Sequence, residues 1–414
     1  MIQISNFTKN KELPKLFSVL LDQVLMSVVT LLTSVVLART FDKVQYADLV
    51  LLFTLTLFSL GFQSSIISKP YAINQNDLGE LNKESYYQFN LNLKLIFTVG
   101  VVFVFPFLYY FSFDVWDFQR FSIFLFYIIS YTSYFFIRET LLSERKTKEN
   151  LKYGIFCATG LVSLLLYILF SNNKNINFFL IVASTIYSLV SAFYFISNYK
   201  KIKLPNYTWL QFWNINWKIG KWLLGSNFLF HISSSIYPWL LLYITEKKDI
   251  AVFGVLISVA ALVNPLLTAL SSYLLPLFVS VNSKYDKIKE LVGKWNILFA
   301  LMAIVLVIIG VFLGQNIIVL LYGEKYQNLG ILVIFPFIVQ AINVFAQPFK
   351  IALNAIKRTD VNFWILIPRS IISVVLGFLL INRFGLVGVF YTMIFENLFY
   401  QISYYIIYRK VFKF

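Results

Sequence analysis

Apolar residues along this chain come in long unbroken blocks rather than in alternation or in narrow helical stripes. Twelve blocks approach or exceed the 20 or so residues a helix needs to cross the hydrocarbon of a bilayer. They run Leu16–Leu37, Ala47–Ile67, Leu91–Phe111, Phe121–Leu142, Tyr153–Phe170, Phe178–Ile196, Trp222–Ile244, Ala251–Phe278, Trp295–Leu313, Leu329–Phe349, Phe363–Ile381 and Leu386–Tyr408. A backbone surrounded by lipid must satisfy its own hydrogen bonds, so blocks of this kind predict helices. The expected fold is an all-α polytopic membrane protein with twelve transmembrane helices.

Composition strengthens this picture. Hydrophobic residues make up 59% of the 414 positions and charged residues 13%, more apolar surface than a water-soluble exterior allows. The 44 Phe and 26 Tyr suit a surface that faces lipid and carries aromatic belts at its interfaces. A single cysteine, Cys157, and a single histidine, His231, exclude a disulfide framework, a cysteine metal cluster and the usual His-containing catalytic sets. The segment "MIQISNFTKNKELPK" lacks the apolar core and small-residue cleavage site of a signal peptide.

The net charge of +16 invites a nucleic-acid reading until the charges are sorted by loop. Of the 35 Lys and Arg residues, 24 fall on the side of the N-terminus, 8 on the opposite side, and Lys94, Arg138 and Arg369 lie within spans. A bias repeated loop after loop is the positive-inside rule, and it places both termini in the cytoplasm. The basic excess is topological, and no nucleic-acid partner is expected.

The longest outward loop, 314–328, has fifteen residues, so no external domain is expected. The inward stretch 201–221 holds "WLQFWNINWKIGKW", in which Trp209, Trp213 and Trp217 share one helical face. With Lys218 and Lys221 beside them, they predict a short interfacial helix on the cytoplasmic surface. That helix divides an N-terminal six-helix lobe (1–200) from a C-terminal one (222–414). A gapless offset of 206 residues pairs Lys15 with Lys221, Ser27 with Ser233, Leu60 with Leu266, Ser65 with Ser271 and Pro70 with Pro276. It superposes the first spans of the two halves, as parallel repeats would. Repeat-built transporters place their sites between the halves. Pro238, Pro265, Pro276 and Pro336 mark places where spans can bend.

Three stretches carry a resemblance to a known family. "ARTFDKVQYADLVLLFTLTLFSLGFQSSI" (38–66), "IIVLLYGEKYQNLGILVIFPF" (317–337) and "INRFGLVGVFYTMIFEN" (381–397) resemble the first outer loop, the ninth-to-tenth link and the entry to the last span of the multidrug/oligosaccharidyl-lipid/polysaccharide exporter superfamily, in its polysaccharide-flippase branch. Lipid II flippases carry arginines in their first two spans. Here Asp22 and Gln23 stand in that part of span one, which argues against the peptidoglycan branch. The resemblance implies a two-lobed, alternating-access transporter of the bacterial cytoplasmic membrane. Its substrate would be undecaprenyl-diphosphate-linked oligosaccharide for O-antigen, capsule or a related glycan. It further implies coupling to H+ or Na+ and polysaccharide polymerase machinery as a partner, with neither covalent chemistry nor a cofactor. The physics is compatible: sugars and diphosphate cannot cross hydrocarbon unaided, whereas a polyprenyl tail can stay in lipid.

Intramembrane ionisable residues are functional candidates because they are costly there. Lys94 and Arg138 lie near cytoplasmic ends, where long stems can snorkel; otherwise they line a cavity. Glu139 points about 100° away from Arg138 around the helix. Asp22 has no long stem and needs a partner or a cavity. Arg369 sits roughly 9 Å deep and Glu396 roughly 18 Å, in adjoining antiparallel spans, so an ion pair competes with a substrate-facing role. His231, Ser233, Ser234 and Ser235 make span seven unusually polar. The candidate substrate-binding set is Arg369, Arg138, Lys94, His231 and Ser234; the coupling or ion-pair set is Glu396, Asp22 and Glu139; no metal site is expected. A drug or cation antiporter of the same superfamily is the alternative, favouring a more acidic cavity. A membrane polymerase or glycosyltransferase would need outward loops that this topology lacks.

Overall fold

The computed structural model describes residues 12–75, 78, 80–113, 116–171, 174–198, 209–279, 281, 285–358 and 360–412. Among them there is no strand. The helices are α1 (Glu12–Thr40), α2 (Lys43–Gln63), α3 (Lys69–Asn74), α4 (Glu80–Ser112), α5 (Phe118–Ser143), α6 (Thr147–Ser171), α7 (Ile176–Asn198), α8 (Trp209–Ser234), α9 (Tyr237–Ile244), α10 (Lys247–Ala261), α11 (Asn264–Val279), α12 (Tyr285–Phe312), α13 (Gly314–Tyr322), α14 (Phe335–Phe345), α15 (Gln347–Ala355), α16 (Asp360–Phe384) and α17 (Leu386–Val411). A π-helical turn, Ser64–Ser68, joins α2 to α3.

Nine stretches of the described residues are long and apolar enough to cross a membrane, and α10 with α11 makes a tenth if that pair, bent by 40°, is one span. The protein is a multi-pass membrane protein. Two of the twelve expected spans fall outside this set, for different reasons. Span seven is interrupted after Ser234, where α8 stops and α9 begins with Pro238 in its first turn. Proline cannot donate to the preceding turn, so the helix breaks there. Span twelve is a continuous 26-residue helix, but Glu396, Asn397 and Gln401 make it polar.

The chain divides into two compact units: residues through Val36 with Leu51–Phe228, and Leu37–Val50 with Leu229–Phe414. The cuts differ from those expected from sequence. No separate interfacial helix ends at residue 221, because Trp209–Ser234 is one helix; residues 1–11 and 199–208 lie outside the described set. In the first unit, α8 is pinned by Asn216, which donates to the Ile66 carbonyl (3.0 Å) and to Asn90 (2.8 Å).

Residues 37–50 group with the second unit for a definable reason. Helix C-termini leave carbonyls unsatisfied and carry partial negative charge, which cations stabilise. Arg39, at the end of α1, donates through Nε to the Leu321 carbonyl (2.6 Å) and through Nη2 to that of Leu320, in the last turn of α13. Lys325, just beyond α13, donates to the carbonyls of Arg39 (3.2 Å) and Phe41 at the end of α1. Each helix end therefore supplies the cation that caps the other. Two of the stretches that resemble the exporter superfamily form this reciprocal cap. Nearby, Lys247 pairs with Asp48 at 3.3 Å.

Candidate functional site

Four of the expected ionisable residues form two buried ion pairs, one in each unit. In the first unit, Asp22 of α1 is fully buried and pairs with Arg138 of α5. Asn150 of α6 donates to the same carboxylate oxygen at 2.9 Å. The guanidinium also rests 5.6 Å from the centre of the Tyr134 ring. Gly154, one turn beyond Asn150, makes room: a β-carbon there would stand 2.4 Å from Asp22 Oδ1. That oxygen is buried with no hydrogen-bond partner. Arg138 does not snorkel; its partner lies inside the unit, across 116 residues of sequence.

Glu139, turned away from Arg138 as expected, accepts from Ser64 in the π-helical turn at 2.9 Å. Its other oxygen is buried without a partner. Lys94 is also inside the unit, 3% exposed, and donates to Thr132 Oγ1 at 2.9 Å with Phe97 beneath it. Neither residue has an ion pair among the described residues.

The second cluster joins four helices. Arg369 of α16 donates through Nη2 to Glu396 Oε1 of α17 at 3.0 Å and makes a longer contact, 3.4 Å, with Ser234 Oγ of α8. Glu396, 1% exposed, accepts at its second oxygen from Ser373, one turn along α16 from Arg369. Arg369 commits one terminal nitrogen to the carboxylate rather than the two-pronged fork that guanidinium geometry allows. Its Nε is buried with no hydrogen-bond partner. The guanidinium carbon lies 4.7 Å from the centre of the Tyr400 ring.

A residue that sequence reasoning missed completes this cluster. Lys350 of α15, counted from sequence only as a topological charge, holds its ammonium 4.6 Å from the Tyr400 ring centre and 5.6 Å from that of Tyr404. Both tyrosines donate to Asn362 Oδ1, at 2.6 and 3.1 Å. The Tyr400 ring thus serves two cations. The cluster gathers two basic side chains, Arg369 and Lys350, and one acid, Glu396. The first unit holds a buried ion pair, Asp22 with Arg138, and Lys94 and Glu139 bond to hydroxyls instead. His231 Nδ1 lies 3.2 Å from Ser235 Oγ. Of the expected substrate-binding set, Arg369 and Ser234 come together; Arg138 and Lys94 belong to the first unit.

Solved structures of transporters share this arrangement of helices. A multidrug-resistance MATE transporter of the MOP superfamily, in an inward-facing conformation, superposes with a TM-score of 0.70 over 93% of this chain and 94% of that one, at 12% identity. The lipid II flippase MurJ, in its inward closed conformation, superposes with a TM-score of 0.69 over 93% of this chain and 87% of its own, also at 12% identity. The chain has the fold of the multidrug/oligosaccharidyl-lipid/polysaccharide exporter superfamily. In sequence it is similar to the capsular polysaccharide biosynthesis protein CapF of Staphylococcus aureus, 25% identical over 296 residues, which cover 67% of this chain and 72% of that protein. No family model matches the chain.

Proposed function

We propose that this protein is a flippase that moves undecaprenyl-diphosphate-linked oligosaccharide from the inner to the outer leaflet of the bacterial cytoplasmic membrane. Its product would feed capsule, O-antigen or a related surface polysaccharide, with a polymerase as the next step. Both termini lie in the cytoplasm in this reading. The observation that carries it is the Arg369 cluster: a buried guanidinium with unused donor capacity, beside a second basic side chain, Lys350. A diphosphate is the part of the substrate that such a group stabilises, and the similarity to CapF supports a glycan cargo.

The mechanism follows from charge bookkeeping. Without substrate, Glu396 neutralises Arg369 and Ser373 holds the carboxylate in place. A diphosphate oxygen that takes over the Nη2 donor of Arg369 displaces Glu396 from it. The displaced carboxylate becomes an uncompensated buried charge, which is costly. Uptake of H+ or Na+ at Glu396 removes that cost, and so couples ion entry to substrate binding at Arg369. The protein makes and breaks ion pairs, and no covalent step is required.

Cell-based glycan export tests this directly. Arg369→Ala and Lys350→Met should each reduce surface glycan at unchanged protein level, and Arg369→Lys should recover part of the loss because charge returns without the planar fork. Export at full level in all three variants would remove the diphosphate role from this cluster. A second reading is a cation-coupled antiporter. It is favoured by the MATE-like fold and by the buried, unpartnered oxygen of Asp22. Transport of a cationic drug that survives Arg369→Ala but fails in Asp22→Asn would select it.

A further inference from the structure

The bent pair α10–α11 opens a polar pocket at the depth where the span is broken. Its volume is about 420 Å³, and Asn264, Leu267, Thr268, Ser271, Leu275 and Gln347 line it. None of the six is ionisable. The cavity of the first unit provides the contrast: Ser59 is its only hydroxyl-bearing side chain, and the rest of its lining is apolar apart from the Trp213 indole. Polar side chains at mid-depth are tolerated where they face protein or water rather than lipid. Asn264 is midway along the Lys247–Val279 stretch.

The pocket wall is held by a chain of amides. Gln340 of α14 donates to the carbonyl of Ala260 at 2.9 Å, satisfying a group at the end of α10, and to Asn264 Oδ1 at 2.8 Å. Asn343 donates to Gln340 (3.3 Å), and Gln401 of α17 donates to Asn343 (3.0 Å). Asn264 uses its carbonyl oxygen inward, so its amide NH2 is available to a ligand. Thr268 donates to the Asn264 backbone carbonyl at 3.0 Å and keeps acceptor capacity at its hydroxyl. Amides and hydroxyls that both donate and accept, without net charge, match a neutral polyol. They offer no opposite charge to a phosphate or a cationic drug, and an acyl chain would leave their hydrogen bonds unmade.

We infer that this pocket is the sugar-recognition subsite: Asn264, Thr268, Ser271 and Gln347 bind the hydroxyls of a neutral saccharide in the transported lipid-linked glycan. The inference rests on the flippase reading and assigns the uncharged part of the substrate, separately from the Arg369 and Lys350 group. A subsite built from exchangeable hydrogen bonds binds modestly, which suits a cargo that must be released.

Binding to the purified full-length protein in nanodiscs tests it. The probes are citronellyl diphosphate alone and the same lipid carrying glucose, galactose or N-acetylglucosamine. The wild-type protein should bind at least one sugar-bearing probe more tightly than the sugar-free lipid. Thr268→Val with Ser271→Ala, both close in shape, should weaken that probe about tenfold, as expected for two modest hydrogen bonds, and leave the sugar-free lipid within about twofold. If that variant binds neither probe, Gln347→Leu on α15 is judged by the same criterion. A sugar preference that survives these substitutions, or a wild-type protein indifferent to every sugar, overturns the subsite. A wild-type protein that binds no diphosphate lipid at all instead overturns the flippase reading beneath it.

Discussion

Breaking the Asp22–Arg138 pair should loosen the first unit in a way that its one cysteine reports. Asp22 has no exposure, and in Arg138→Met it would keep only the Asn150 amide as partner. Removing one member of a buried pair leaves the other charge uncompensated and costs about 3–5 kcal/mol. The cost should sit at the low end of that range, because Asn150 remains. Adding Asp22→Asn to Arg138→Met removes the stranded charge, so the double variant should recover about half of the loss. Cys157 lies on α6, two turns from Asn150, and is fully buried. The rate at which a thiol-reactive fluorophore labels it during thermal or denaturant unfolding therefore reads the stability of this region. Arg138→Met should label fastest, the double variant should be intermediate, and the native protein slowest. Equal labelling of the single variant and the native protein would mean that the pair is not a structural element. A double variant that labels faster than Arg138→Met would show that the two residues act independently.

Other consequences are as specific. Gly154→Ala should destabilise by about 1–3 kcal/mol, because its β-carbon collides with a buried carboxylate that has little room to shift; combining it with Asp22→Ala should restore labelling of Cys157 towards that of Asp22→Ala alone. Arg39→Ala and Lys325→Ala should each cost about 0.5–1 kcal/mol as lost helix C-caps, and a double-mutant cycle should show coupling, since each cation caps the helix that bears the other. Glu396→Gln should abolish ion dependence of transport while Ser373→Ala weakens it, measured as the change in initial rate with the ion gradient; an unchanged gradient dependence in Glu396→Gln would remove Glu396 from coupling.

How much of this was legible depends on the distance between partners along the chain. The apolar blocks gave the helices because lipid imposes one rule on every segment. Arg369 and Glu396 could be suspected as a pair because their helices are consecutive and antiparallel. Asp22 and Arg138 are 116 residues apart, and nothing in either segment points to the other. Arg39 and Lys325 read as loop charges for the same reason; only the fold brings the ends of α1 and α13 together. Lys350 was hidden by its position at a span end, where a lysine ordinarily reports topology. Its tyrosine partners, Tyr400 and Tyr404, were lost among the many aromatics of a lipid-facing surface. The break in span seven had a visible signal, the Ser233–Ser235 run followed by Pro238. The polar pocket had only a partial one: Pro265 marked the bend, but Asn264, Thr268 and Ser271 gain meaning from Gln340 and Gln347 on other helices.

The central claim is that this chain flips a diphosphate-linked glycolipid through the Arg369 cluster. Reconstitution into liposomes with a fluorescent polyprenyl-diphosphate-linked sugar on one leaflet measures it, using a membrane-impermeant quencher to follow translocation. The account predicts transfer well above protein-free liposomes for the native protein and near background for Arg369→Ala at equal reconstitution. Native protein that leaves the lipid where it started under every ion gradient, or Arg369→Ala that flips it at the native rate, would contradict it.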